Sequence, residues 1–122
     1  MKSNKEIKTK IFCDTADIKI IKQLNNNPLV NGFTTNPSLM KLFGAKNYKN
    51  YSKKILKICK KKSISLEVIA DDFKQMEKQA YKIKSWGSNV YVKIPITNSK
   101  GNSSAKIIKR LSDNGLKLNI TA

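Results

Sequence analysis

Histidine is missing from all 122 residues of this chain, arginine occurs once, at Arg110, and the only cysteines, Cys13 and Cys59, stand far apart with no Cys-x-x-Cys. Without imidazole and without clustered thiols the usual donor set for zinc is absent, so no metal site is expected. The two cysteines are expected to be buried structural thiols in a reducing compartment. Gly-x-Gly-x-x-Gly and the P-loop pattern are also missing, which leaves a dinucleotide or nucleoside-triphosphate fold without motif support. There is no apolar run long enough to span a bilayer, and the opening Met1–Lys10 stretch is polar throughout rather than built like a signal peptide. A soluble, cytoplasmic protein without a membrane partner is expected.

Acidic residues are scarce too: 8 against 25 basic ones, for a formal net charge of +17. Such an excess fits nucleic-acid or membrane binding, or a lysine-, asparagine- and isoleucine-rich compositional bias spread over an ordinary surface. The distribution favours the second. The lysines are scattered through every segment and only Lys60, Lys61 and Lys62 form a run, at a point where a helix would end and cations suit its dipole. Arginine clusters and aromatic ladders for stacking on bases are absent, so nucleic acid is not expected as a partner. A positive field does suit phosphorylated metabolites.

What is present describes one folded domain over residues 1–122. Hydrophobic residues make up 39% and are spread along the chain, which argues against disorder despite a charged fraction of 27%. Five short apolar runs are predicted as strands: 10–14, 29–34, 64–70, 90–96 and 116–121. Helical periodicity fills the intervals at 17–24, 48–61, 72–86 and 103–114, with Gly87 and Gly115 as C-terminal stops. A short helix over 37–43 is predicted from Pro37 in its first turn and Asn36 in the capping position. Strict alternation of strand and helix implies parallel strands covered by helices.

Lys93 is the unusual residue. It interrupts the apolar run from Val90 to Ile96, where another valine would be ordinary. Burial lowers an amine's pKa, and a partly neutral lysine is what attack on a carbonyl to form a Schiff base requires. Residues two apart on a strand share a face. That rule places Phe12 with Asp14, Gly32 with Thr34 and Asn36, Ser65 with Glu67, Tyr91 with Lys93, and Asn119 with Thr121. The opposite faces are oily: Ile11 and Cys13, Leu66 and Val68, Val90, Val92 and Ile94, and Leu116, Leu118 and Ile120. A polar interior with catalytic groups at the strands' C-terminal ends is the pattern of a (β/α) barrel. Each polar residue has a plainer explanation alone, since Asp14 or Asn36 could cap a helix and Glu67 could pair with a lysine. In register around one intrastrand lysine they form a candidate site.

Those segments also resemble the transaldolase family, which includes the small fructose-6-phosphate aldolases. The resemblance lies in Asp14-Thr-Ala16, Gly32-Phe-Thr-Thr-Asn-Pro-Ser38, Leu66-Glu-Val-Ile69, Val92-Lys-Ile-Pro95 and Leu118-Asn-Ile-Thr121. It implies the N-terminal part of a TIM (β/α)8 barrel, about five strands and four main helices, and a class I aldolase chemistry needing neither metal nor cofactor. Lys93 would be the Schiff-base lysine and Asp14 the proton acceptor from the C4 hydroxyl of a ketose phosphate. Glu67 and Thr121 would hold a catalytic water, while Thr34 and Asn36 would bind the hydroxyls of the dihydroxyacetone unit. The expected activity is transfer of that unit between sugar phosphates in carbohydrate metabolism of the pentose phosphate type. A glutamate at position 67 tilts toward transfer rather than free aldolase cleavage, where the family typically has glutamine. The alternatives are such a free aldolase, or an inactive fragment serving as a basic binding module.

A whole barrel of this kind has eight strands and typically spans about 250 residues. This chain reaches only the fifth, so the serine and arginine with which the family binds substrate phosphate are not in it. The fifth strand is expected to have a bare edge, and the full-length form is expected to be a homo-oligomer.

Overall fold

The computed structural model describes residues 8–122. The polar opening of the chain, read above as carrying no signal peptide, lies outside the described residues as far as Ile7. The fold is α/β: five parallel strands alternate with helices, an arrangement consistent with the N-terminal part of a TIM barrel. The chain divides into two compact units, Met1–Ile64 and Ser65–Ala122.

The first unit contains β1 (Phe12–Asp14), α1 (Ile18–Leu24), β2 (Gly32–Thr34), α2 (Pro37–Leu42), α3 (Tyr48–Ile58) and the start of β3 (Ser63–Glu67). Its helices begin where short polar side chains satisfy free backbone N–H groups. Asp17 accepts from the N–H of Lys19, Asn36 from Leu39 and Asn47 from Asn50. Pro37 opens α2 at a position where no intrahelical N–H is needed. β1 and β2 pair in parallel with Phe12 opposite Gly32, Cys13 opposite Phe33 and Asp14 opposite Thr34. Phe33, Ile21, Met40, Ile55 and Ile64 are fully buried and form the core of this unit. Gly32 is required by close approach, because a Cβ there would run into the backbone carbonyl and hydroxyl of Ser63.

Some expectations need correction here. The second strand is shorter than 29–34, because the Asn27 side chain accepts from the N–H of Leu29 and the Val30 N–H turns back to the Asn27 carbonyl, making a turn of Asn27–Val30. Helix α3 stops at Ile58, so the lysine run does not lie in its last turn. Lys62 instead points its ammonium at the carbonyls of Leu24, Asn27 and Val30, serving the C-terminal end of α1 and the turn after it. Cys59 is buried, and burial pushes its thiol up against the opposing pull of Lys62. Cys13 is only half-buried.

The second unit contains the end of β3, α4 (Phe73–Lys84), β4 (Val90–Pro95), α5 (Ala105–Asp113) and β5 (Leu118–Thr121). β4 and β5 pair in parallel, Val92 opposite Leu118, Lys93 opposite Asn119, Ile94 opposite Ile120 and Pro95 opposite Thr121. The core is made by Leu66, Met76, Ala80, Val92, Ile94 and Leu111. β3 ends at Glu67, short of residue 70, because the N–H groups of Ile69 and Ala70 donate to the Gln79 side chain of α4. Gly115 does end α5, with a positive φ of 82° and the Leu116 N–H returning to the Leu111 carbonyl. Gly87 does not cap α4: Ser85 is the capping residue, and Gly87 has no positive φ. The outward face of β5 is oily but uncovered at Ile120, which is 41% exposed. Within the described residues no helix is long and apolar enough to cross a membrane.

Candidate active site

In the first unit the β1–β2 register puts Asp14 directly across from Thr34. The Thr34 hydroxyl donates to Asp14 Oδ1 at 2.9 Å, which fixes the carboxylate at the C-terminal end of its strand. Asn36 follows two residues later, and its side-chain oxygen accepts from the Leu39 N–H at 2.8 Å, as the plainer capping explanation anticipated.

In the second unit β4 alternates cleanly. Val90, Val92 and Ile94 are buried, while Tyr91, Lys93 and Pro95 lie on the other side and are half-buried. Lys93 is therefore not enclosed in the core; it sits on the partly open side of a strand whose opposite side is packed. Thr121, opposite Pro95, lies two register positions beyond the Lys93–Asn119 pair. The Val68 N–H donates to the Lys93 carbonyl at 3.2 Å, which holds the chain just after Glu67 beside β4. Asn119 Nδ2 donates to the Ser65 hydroxyl at 3.1 Å. Ser65 is nearly fully buried, so this bond satisfies a polar group where water has little access.

The structure thus brings Asp14 together with Thr34, and Lys93 together with the ends of the strands that carry Glu67 and Thr121. Asp14, Thr34 and Asn36 belong to the first unit, and Glu67, Lys93 and Thr121 to the second. Asn119 and Ser65 were placed on the polar face by strand alternation but were not nominated as site residues. Their contact joins positions 54 residues apart, and no local spacing announces it.

The loops at this end of the second unit are tied down. Asp71, in the turn before α4, accepts from the backbone N–H of Ser99 at 2.7 Å and from its hydroxyl at 2.5 Å. The Ser99 hydroxyl, with help from its N–H and from Lys100, holds the Asp71 carboxyl below the usual carboxylate range. Asn98 Oδ1 accepts from the N–H groups of Lys100 and Asn102, and the Ser104 hydroxyl donates to the Pro95 carbonyl at 2.6 Å. The segment following β4 is in this way fixed at both of its ends. Among the described residues there is no group of three or more His, Cys, Asp or Glu side chains that could hold a metal ion. A strand lysine can in general act as an amine nucleophile and a hydrogen-bonded carboxylate as an acid or base.

Comparison with known proteins identifies the family. The profile of the Transaldolase/Fructose-6-phosphate aldolase family matches residues 11–122. A probable transaldolase of Nitrosopumilus maritimus (strain SCM1) is 40% identical over 112 residues, 92% of this chain and 48% of that protein. A probable transaldolase of Dehalococcoides mccartyi is 38% identical over 112 residues, 92% of this chain and 50% of its own length. One from Brucella anthropi is 40% identical over the same length and is covered to 49%. The chain spans about half the length of the curated relatives it matches. With the Asp14 and Lys93 motifs both inside the matched range, the chain belongs to the transaldolase/fructose-6-phosphate aldolase family.

Proposed function

We propose that this chain supplies the Schiff-base half of a transaldolase, which moves a dihydroxyacetone unit from a ketose phosphate to an aldose phosphate. The observation that carries the reading is Lys93: a single cation on the half-open side of β4, in a strand otherwise built for burial. The Lys93 amine attacks the C2 carbonyl of the ketose, and loss of water gives an iminium. Asp14 takes the proton from the C4 hydroxyl as the C3–C4 bond breaks. The bonding electrons move to the iminium nitrogen, leaving an enamine on Lys93 and releasing an aldose phosphate. The enamine adds to the aldehyde of the acceptor, which regains a proton on its new hydroxyl, and water then cleaves the imine to free the product and the lysine.

Glu67 and Thr121 hold the water that serves imine formation and cleavage, while Thr34 and Asn36 hydrogen-bond the hydroxyls of the three-carbon unit. The Thr34 hydroxyl's bond to Asp14 supports its place in this set. The activity would belong to carbohydrate metabolism of the pentose phosphate type. Glu67 favours transfer over free aldolase cleavage, and the two separate on whether turnover needs an added acceptor aldose.

Borohydride reduction in the presence of fructose 6-phosphate tests the reading. A stable mass increase should appear on the peptide containing Lys93, and Lys93→Ala should abolish it. An adduct on another lysine, or transfer activity that survives Lys93→Ala, would overturn it.

A further inference from the structure

We propose that the first unit carries a separate groove for an oligophosphate, a chain of linked phosphate groups, between α1, the turn after α2, and α3. The groove is open to solvent along much of its surface and has a volume of about 870 Å³, within the range of small-molecule sites. Lys19 and Lys22 line it from α1, Lys54 and Lys57 from α3, and Lys46 from the intervening turn. A spacing of three puts each helical pair on one face, so the charges follow the groove rather than circling the helices. All five side chains are exposed. Among the described residues none of the five makes a side-chain hydrogen bond or ion pair, whereas Lys62 is spent on backbone carbonyls and Lys109 on Asp113.

Asp17 is the single acidic residue in the lining, and its carboxylate already accepts from the Lys19 N–H as the cap of α1. The groove therefore concentrates positive charge with little of the opposite sign to offset it, and a multivalent anion gains from every ammonium at once. Lysine ammoniums act as point charges toward phosphate oxygens, without the planar pairing that arginine gives carboxylates. A nucleic acid is the poorer fit, because the groove has no arginine and no ladder of aromatic rings to stack successive bases. Phe43, exposed at the groove's edge, offers one ring, enough for the base of a nucleoside triphosphate. Bare polyphosphate and the phosphate tail of a nucleotide thus share the same chemistry here.

Titration calorimetry of the protein at low ionic strength decides the matter, with tripolyphosphate, ATP and fructose 6-phosphate as probes. Tripolyphosphate should bind saturably at one site per chain, more tightly than the monophosphate, and weaken as salt is added. Lys22→Gln, Lys54→Gln and Lys57→Gln combined should weaken it about tenfold, and the same three changed to Arg should retain it. Removing equal charge from α4, with Lys74→Gln, Lys78→Gln and Lys82→Gln, should cost less than about twofold. ATP binding tighter than tripolyphosphate supports the site with Phe43 holding the base; equal or weaker ATP binding supports it as a site for the phosphate chain alone. Equal losses in the two Gln variants, or no saturable binding, would overturn the proposal. The readout is binding, so it stands apart from whether Lys93 forms a Schiff base.

Discussion

β4 and β1 carry the two residues on which the proposed chemistry turns, and they are secured by different means. β4 has one side driven wholly into the core, with Val92 and Ile94 at 0% exposure and α4 packed on the strand. β1 is a three-residue strand with little cover: Phe12 is 47% exposed, and Ile11, just before the strand, is 41% exposed. The backbone under Lys93 is therefore positioned by packing, which tolerates almost no displacement. The carboxylate of Asp14 is positioned instead by one hydrogen bond from Thr34. A nucleophile that must not move and a base that must move a proton can be served by these different degrees of constraint.

The largest effect expected from breaking this contrast is on stability. Ile94→Ala deletes a fully buried side chain and should cost about 2–5 kcal/mol, while Phe12→Ala, on the open strand, should cost under about 1.5 kcal/mol. Urea denaturation of the two variants measures the difference. Equal costs would mean that the two strands are held alike and that exposure is a poor guide to their rigidity.

That contrast was only half legible in the sequence. Alternation alone separates Val92 and Ile94 from Lys93, because the period of two is a property of any strand. The same rule assigns Ile11 and Ile120 to an oily covered face, yet both are 41% exposed, because periodicity says which side a residue takes and nothing about what covers that side. That Asp14, Thr34, Glu67, Lys93 and Thr121 lie on strands was readable from the alternation, whereas their proposed roles rest on the family resemblance. The Asn119–Ser65 bond, the Asp71–Ser99 clasp and the engagement of Lys62 with three carbonyls were not readable. Each joins residues distant in sequence, through side chains whose type is common on any surface.

A smaller effect is expected at Thr34, and on activity rather than stability. Thr34→Val keeps the shape and removes the donor to Asp14, so kcat should fall about tenfold while unfolding free energy changes by under about 1.5 kcal/mol. Thr34→Ser restores a hydroxyl and should recover most of the loss. If the valine variant kept full kcat, the hydrogen bond would not be what orients Asp14, and the contrast with β4 would lose its functional meaning.

The smallest effect is expected at the clasp that fixes the segment after β4. Ser99 lowers the Asp71 carboxyl below its value in the unfolded chain. The unfolded state then binds the proton more readily, so the clasp's contribution is fully present above the ordinary aspartate range and is lost as pH falls through the lowered value. Glu77 is lowered in the same sense by Arg110, and that pair lies on α4 and α5, separate from the clasp. Asp71→Asn should therefore lower Tm slightly at neutral pH and remove only part of the acid-side decline, leaving the part due to Glu77. Thermal melts from pH 7 down to pH 2 for the parent and variant check this. Because Asp71 lies at the exposed surface, a difference that is large at neutral pH and insensitive to acid would contradict the clasp and point to packing as its source. A difference that vanishes with acid, joined to unchanged Schiff-base trapping at Lys93, would separate the tethering of the loop from the packing that positions the lysine.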